Sequence, residues 1–253
     1  MSKYTPVDMI KKPLILISND DGFRAKGIRE LARIASEYGY VIVCAPEGAR
    51  SGNSRAFSME AIRVRQISKE DNVEVWACSG TPVDCVKLAY AELCPRTPDL
   101  VLSGINHGDN ASTNAHYSGT VGVVIEGAMK GIASVAFSLC DYAEDADFAP
   151  MEHVIRQYIE KALNEGMPHY ECWNINCPKV KEIKGIRECR MAHGHWINEV
   201  EKCVHPTRGY NYYFMCGSFQ NDEPDAEDTD AWALANGYAA VTPLTVDMTN
   251  FKR

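Results

Sequence analysis

PLILISNDDG, residues 13–22, decides the fold. Leu14, Ile15, Leu16 and Ile17 run without polar alternation, the mark of a strand buried on both faces, and such a strand needs helices above and below it. The run then breaks into the polar turn formers Ser18, Asn19, Asp20, Asp21 and Gly22. The same pattern recurs downstream. Ile28, Leu31, Ala32, Ala35 and Tyr38 share one helical face, with Gly39 as the stop. YVIVCAP (40–46) is a second buried strand, and Val73 to Ala77 a third. Thr81-Pro82-Val83-Asp84 reads as a helix start: Thr81 caps, Pro82 fills the first turn and Asp84 reaches back as a capping-box acid. PDLVLSG (98–104) is a strand, Ser118-Gly119-Thr120 opens a helix carrying Val121, Val124, Ile125, Ala128 and Met129, and ASVAFSL (133–139) is another strand. Met151 to Leu163 is an amphipathic helix. Alternation of this kind predicts right-handed crossovers, hence an α/β fold with a Rossmann-like, mostly parallel sheet and helices on both faces.

After about residue 178 the texture changes. We read residues 1–178 as the α/β catalytic domain and 179–253 as a C-terminal extension within one unit. GYNYYFMCG (209–217) has the aromatic content of an exposed hairpin strand, NDEPDAEDTD (221–230) is an acidic loop, Trp232 to Leu234 begins a short helix, and YAAVTPL (238–244) is a last strand. Trp196, Tyr210, Tyr212, Tyr213, Phe214 and Trp232 come with too little helix to bury them in a second core. The extension is therefore expected to pair with another copy, giving a homodimer or homotetramer.

Composition narrows the function. A chain of 253 residues supports one buried core with an appendage. The net charge of −8 argues against nucleic-acid polymers, which need a basic surface, though not against a small phosphate compound. Of the ten cysteines, Cys44, Cys85 and Cys140 lie in apolar runs, and no Cys-x-x-Cys pair occurs. The N-terminus lacks an apolar signal region and no run approaches the roughly 20 residues of a membrane span. A reduced, cytoplasmic chain is expected.

Ligands of parallel sheets bind beyond the carboxyl ends of the strands. Three loops there are unusually polar: Ser18 to Gly22, Arg50 to Ser54, and Ser103 to Asn106. Adjacent carboxylates at Asp20 and Asp21 repel unless a positive group lies beside them. A hard divalent cation serves, taking oxygen from Asp20, Asp21, Asn106 and Ser51. The alternative is a plain turn in which Asp20 or Asp21 caps the following helix. Small residues at Ser118, Gly119 and Thr120 expose helix N–H groups to phosphate; the alternative is an ordinary cap by Ser118. Neither this start nor Gly80-Thr81-Pro82 is a Walker loop. His107, beside Asn106, could touch substrate or simply face solvent, and His116 is close in sequence to the phosphate site; none of His107, His116, His193 and His195 is taken as the sole general base, and Asp141 to Asp147 reads as a solvated loop.

Taken together, Asn19-Asp20-Asp21-Gly22, Ala45-Pro46 with Ser51-Gly52 and Ser54, Gly80 to Val86, Ser103-Gly104-Ile105-Asn106 with Gly108 and Asn110, and Tyr117-Ser118-Gly119-Thr120 with Glu126-Gly127 resemble the SurE family of 5′-nucleotidases in order and spacing. The resemblance continues through Arg208-Gly209, Tyr212-Tyr213, Gly237-Tyr238 and Thr242-Pro243-Leu244. It implies one divalent cation per subunit, Mg²⁺ or Mn²⁺, held at Asp20, Asp21, Ser51 and Asn106. It also implies a grip on phosphate by Asn110, Ser118, Gly119 and Thr120, with Asp20, Asp21 and Asn106 as catalytic residues. The substrates would be nucleoside 5′- or 3′-monophosphates, with short polyphosphate in some members, and the C-terminal extension would exchange between subunits. Two rival readings stand beside this one. A response-regulator receiver fits the paired acids but wants a phospho-accepting Asp where the Leu100 strand offers Ser103 and Asn106. A non-catalytic nucleotide-sensing module would keep the same metal site.

Overall fold

The computed structural model describes residues 12–250. Thirteen strands and five α-helices follow in chain order: β1 (Leu14–Ser18), α1 (Lys26–Ala35), β2 (Tyr40–Pro46), β3 (Val64–Glu70), β4 (Val73–Cys78), α2 (Pro82–Leu88), β5 (Leu100–His107), α3 (Gly119–Met129), β6 (Ala133–Leu139), α4 (Glu152–Glu165), β7 (Glu171–Cys177), β8 (Ile186–Glu188), β9 (Gly194–Ile197), β10 (Val200–Val204), β11 (Asn211–Met215), β12 (Ser218–Asn221), α5 (Asp230–Ala235) and β13 (Ala239–Thr245).

Nine of the strands form one sheet in the order β3-β4-β2-β1-β5-β6-β7-β13-β8. The six from β4 to β7 are parallel, as the unbroken apolar runs predict. The central strand shows why. Leu14 to Ile17 are fully buried, Ile15 and Ile17 packing with Ile28 and Leu31 of α1 and Ile155 of α4, Leu14 and Leu16 with Val86 of α2 and Val123 of α3. Covering each such side chain stabilises the fold by about 1.5–3 kcal/mol, so neither face can be left bare.

Three strands that run antiparallel to these six finish the sheet. β3 lies on the outer edge against β4, and β13 returns from the far end of the chain to pair antiparallel with β7 and parallel with β8. The remaining strands make two small ribbons, β10 with β11 and β9 with β12. Gly39 is not the helix stop. α1 ends at Ala35 with Ser36 as its cap, and Gly39 serves a close approach instead, since a Cβ there would lie 2.2 Å from the Pro13 carbonyl oxygen. Sequence reasoning did not predict β3, whose Arg65, Gln66, Lys69 and Glu70 give an exposed edge no apolar pattern. Nor did it predict the short β8, β9, β10 and β12.

A candidate metal and phosphate site at the switch point

From β1 the chain builds outward to β2 and β4 on one side, and from β5 to β6 and β7 on the other. Loops leaving β1 and β5 diverge there, which opens a crevice at their carboxyl ends. Asp20, Asp21 and Asn106 all belong to those two strand ends.

Asn19 makes the turn after β1: its Oδ1 accepts from Gly22 N at 3.1 Å and its Nδ2 donates to Gly22 O at 3.2 Å. Neither aspartate caps α1, whose N-cap is Ala25 with no side-chain cap. The turn reading therefore accounts for Asn19 and Gly22 and leaves both carboxylates unexplained.

Asp20 is buried, and its Oδ1 accepts a 2.6 Å hydrogen bond from Thr120 Oγ1 in the first turn of α3. That approach requires glycine at 119, where a Cβ would sit 2.7 Å from Asp20 Cβ. Burial pushes the Asp20 carboxyl up to about 6; the Thr120 bond pulls it down and the Asp21 charge pushes it up again. Burial also raises Asp21, offset by the His107 N–H, which donates to its Oδ2 at 3.3 Å, and by the His107 ring. Among the described residues no ion pair reaches either carboxylate.

Asn106 is aimed by an irregularity in β5. The β5–β6 register shifts between Ser103 and Asn106, at Gly104, whose φ of +112° and approach to Phe137 O (2.2 Å from an added Cβ) exclude any side chain. Asn106 Nδ2 donates to Gly108 O at 2.8 Å, which leaves Oδ1 with no protein donor. Ser51 lies in the exposed loop after β2, whose Arg50 N–H donates to Asp20 O at 2.7 Å. Ser118 caps α3, accepting from Val121 N at 3.0 Å. Asn110 faces inward: its Nδ2 donates to Ser138 Oγ at 2.8 Å and its N–H to Asn176 Oδ1 at 2.7 Å. Thr120 spends its hydroxyl on Asp20, so in α3 the groups left for an anion are main-chain N–H donors.

The His107 ring is fixed rather than free in solvent, with Nδ1 2.9 Å from Ala143 O and Phe148 edge-on at 5.2 Å. Only its position beside Asn106 could have signalled this. Ser54 was unassigned; its Oγ donates to His116 O at 2.5 Å and straps the Ser51 loop to the start of α3. His193 and His195 lie at the β9 ribbon near Glu223 and Asp222.

Known proteins resemble this chain over most of its length. A family model described as survival protein SurE matches residues 15–198. The chain is 50% identical over 242 residues to the 5′-nucleotidase SurE of Phocaeicola vulgatus, covering 95% of this chain and 94% of that protein. It is 47% identical over 243 residues to the protein of the same name from Bacteroides fragilis, with 95% and 94% covered. Among solved structures it resembles the SurE protein from Aquifex aeolicus, with a TM-score of 0.81, 37% identity, and 95% and 96% of the two chains covered.

Proposed function

The chain belongs to the SurE family and is a nucleoside monophosphate phosphatase, and we propose that Asp20, Asp21, Ser51 and Asn106 hold one divalent cation, Mg²⁺ or Mn²⁺, in each subunit. One observation carries the proposal: two adjacent carboxylates, Asp20 buried and Asp21 partly buried, with raised pKa values and no ion-pair partner among the described residues, at the switch point of a parallel sheet. The free Oδ1 of Asn106 and the Ser51 hydroxyl complete a set of oxygen donors suited to a hard cation.

When bound, the cation supplies Lewis-acid polarisation of the phosphoryl oxygens and activation of a water. The chain supplies the rest. First-turn N–H groups of α3 and the helix dipole hold phosphate oxygens against the charge that builds in a loose, anionic transition state. Gly119 lets Asp20 reach that turn, and Thr120 fixes the carboxylate's orientation. Asn110 supports the phosphate site from beneath through Ser138 and Asn176.

We further propose a homo-oligomer, dimer or tetramer, joined through the extension. Tyr213, Phe214 and Met215 of β11 and Val200 and Val204 of β10 are all more than half exposed on a two-stranded ribbon, where another copy would cover them. No helix among the described residues is long and apolar enough to cross a membrane. A cytoplasmic location and the absence of nucleic-acid binding belong to the same proposal.

Phosphate release from nucleoside 5′-monophosphates, with Mn²⁺ and after exhaustive chelation, tests the reading. Release with metal and none without it is expected. Undiminished release from metal-stripped protein would sink the cation site, and no release in either state would favour the sensing module.

A further inference from the structure

Beyond Asn106 the chain turns at Gly108 and runs through Asp109 to Asn114 before reaching α3. Against this segment lies a cleft of about 240 Å³, lined by Asp109, Ser112, Asn114, Tyr142, Trp196 and Phe219 among others. Its volume is below the ~300–1,000 Å³ of sites for drug-sized ligands, on the scale of a single planar ring system.

Three aromatic rings converge there from separate parts of the chain. Tyr142 lies directly on Gly108, where a Cβ would come within 2.3 Å of the ring. It is nonetheless 73% exposed, so the ring keeps an open surface. Trp196 of β9 is pinned by its Nε1, which donates to Asn114 Oδ1 at 2.9 Å, and it meets Phe219 of β12 at 6.5 Å in an edge arrangement. The one charged group in the lining is the Asp109 carboxylate, whose Oδ1 accepts from Asn114 Nδ2 at 3.0 Å. Such a cleft repels phosphate. It suits a flat, uncharged ring that stacks on aromatic faces and offers N–H groups at its edge.

The cleft is also within reach of the metal site. Asp109 is three residues from Asn106, so along the main chain the two are at most about 11 Å apart, within the length of a nucleoside monophosphate. From this we infer that Tyr142, Trp196 and Phe219 form the base subsite, with Asp109 as acceptor for the N–H groups of the base. The inference rests on the phosphatase reading above and adds which residues make a nucleotide a better substrate than a bare sugar phosphate.

The test compares kcat/KM for guanosine and adenosine 5′-monophosphates with kcat/KM for ribose 5-phosphate, a sugar phosphate without a base, at fixed Mn²⁺. The parent should favour the nucleotides. Tyr142→Ala, at an exposed position, should lower the nucleotide-to-sugar ratio about tenfold, mostly through KM, and Tyr142→Phe should restore most of it. Trp196→Leu should act in the same direction. A ratio near one in the parent, a ratio unmoved by Tyr142→Ala, or an equal fall on all substrates would each overturn the base subsite and leave the phosphatase standing. A parent that hydrolyses neither class of substrate would instead bring down the phosphatase reading, and the subsite with it.

Discussion

Asp20 and Asp84 are both buried, and both lie against the first turn of a helix at a strand's carboxyl end, yet their carboxyls are driven in opposite directions. Asp84 closes the capping box of α2. It accepts from Thr81 N at 2.8 Å, from Ser58 N at 3.0 Å and from Ser58 Oγ at 2.6 Å. Burial pushes Asp84 up, but these donors outweigh it and hold the group below the usual 3.8. Asp20 has fewer donors and a like charge beside it, and it rises to about 6. A buried carboxylate whose oxygens are satisfied by its own chain is part of the scaffold. One left short of positive charge is held for something the chain does not supply.

The comparison breaks most sharply at the active pair. Asp21→Asn should cut kcat/KM for a nucleoside monophosphate by about 10³-fold, the scale of losing one charge-stabilising group. Thermal stability of the metal-free protein should hold or rise, because a repelling pair has lost one member. A fully active variant, or one that does not fold, would refute the assignment. Asp84→Ala should do the reverse. It strands two main-chain N–H groups and a hydroxyl, costing about 2–4 kcal/mol in denaturant unfolding, while kcat of the folded fraction stays within a few-fold of the parent. A stability loss in both variants would erase the distinction.

Metal addition sharpens it further. At 100 times its Kd, Mn²⁺ should stabilise the parent by about 2.7 kcal/mol and Asp20→Asn hardly at all. Calorimetry of both proteins with and without Mn²⁺ measures this, and equal stabilisation of the two would place the cation elsewhere. The smallest effect concerns pH. Asp84 binds its proton less readily when folded than when unfolded, so its contribution is complete above 3.8 and declines as pH falls through the lower folded value. The stability gap between the parent and Asp84→Asn should therefore narrow in acid below about pH 4. A gap that widens there would reverse the sign assigned to this carboxylate.

Much of this contrast could be read in the sequence. Strands β1, β2, β5 and β6 announce themselves because burial on both faces demands apolar runs, and Thr81 to Asp84 carries its capping pattern within four residues. The paired acids were legible for the same local reason. The bond between Thr120 and Asp20, 100 residues apart, was not, because no spacing rule reports a contact made by tertiary packing. Asn110 shows the same limit: its neighbours Ser138 and Asn176 come from β6 and β7, and only the assembled sheet turns its side chain inward. β3 escaped notice because a solvated edge strand has no apolar face to signal it.

The place of β13 bears on how the molecule is made. Residues up to 129 carry every proposed metal and phosphate group, and a ribosome delivers them first. The strand that covers the edge of β7 and pairs with β8 spans Ala239–Thr245, about 110 residues later. At 5–20 residues per second, several seconds of translation separate the two. Once β7 has been made and until β13 follows, the nascent chain exposes an open β7 edge from Glu171 to Cys177, a surface on which unfinished copies can stick to one another. A chain cut short before Ala239 would thus have its chemistry encoded and its sheet unsealed, a substrate for chaperones and proteases rather than a working enzyme.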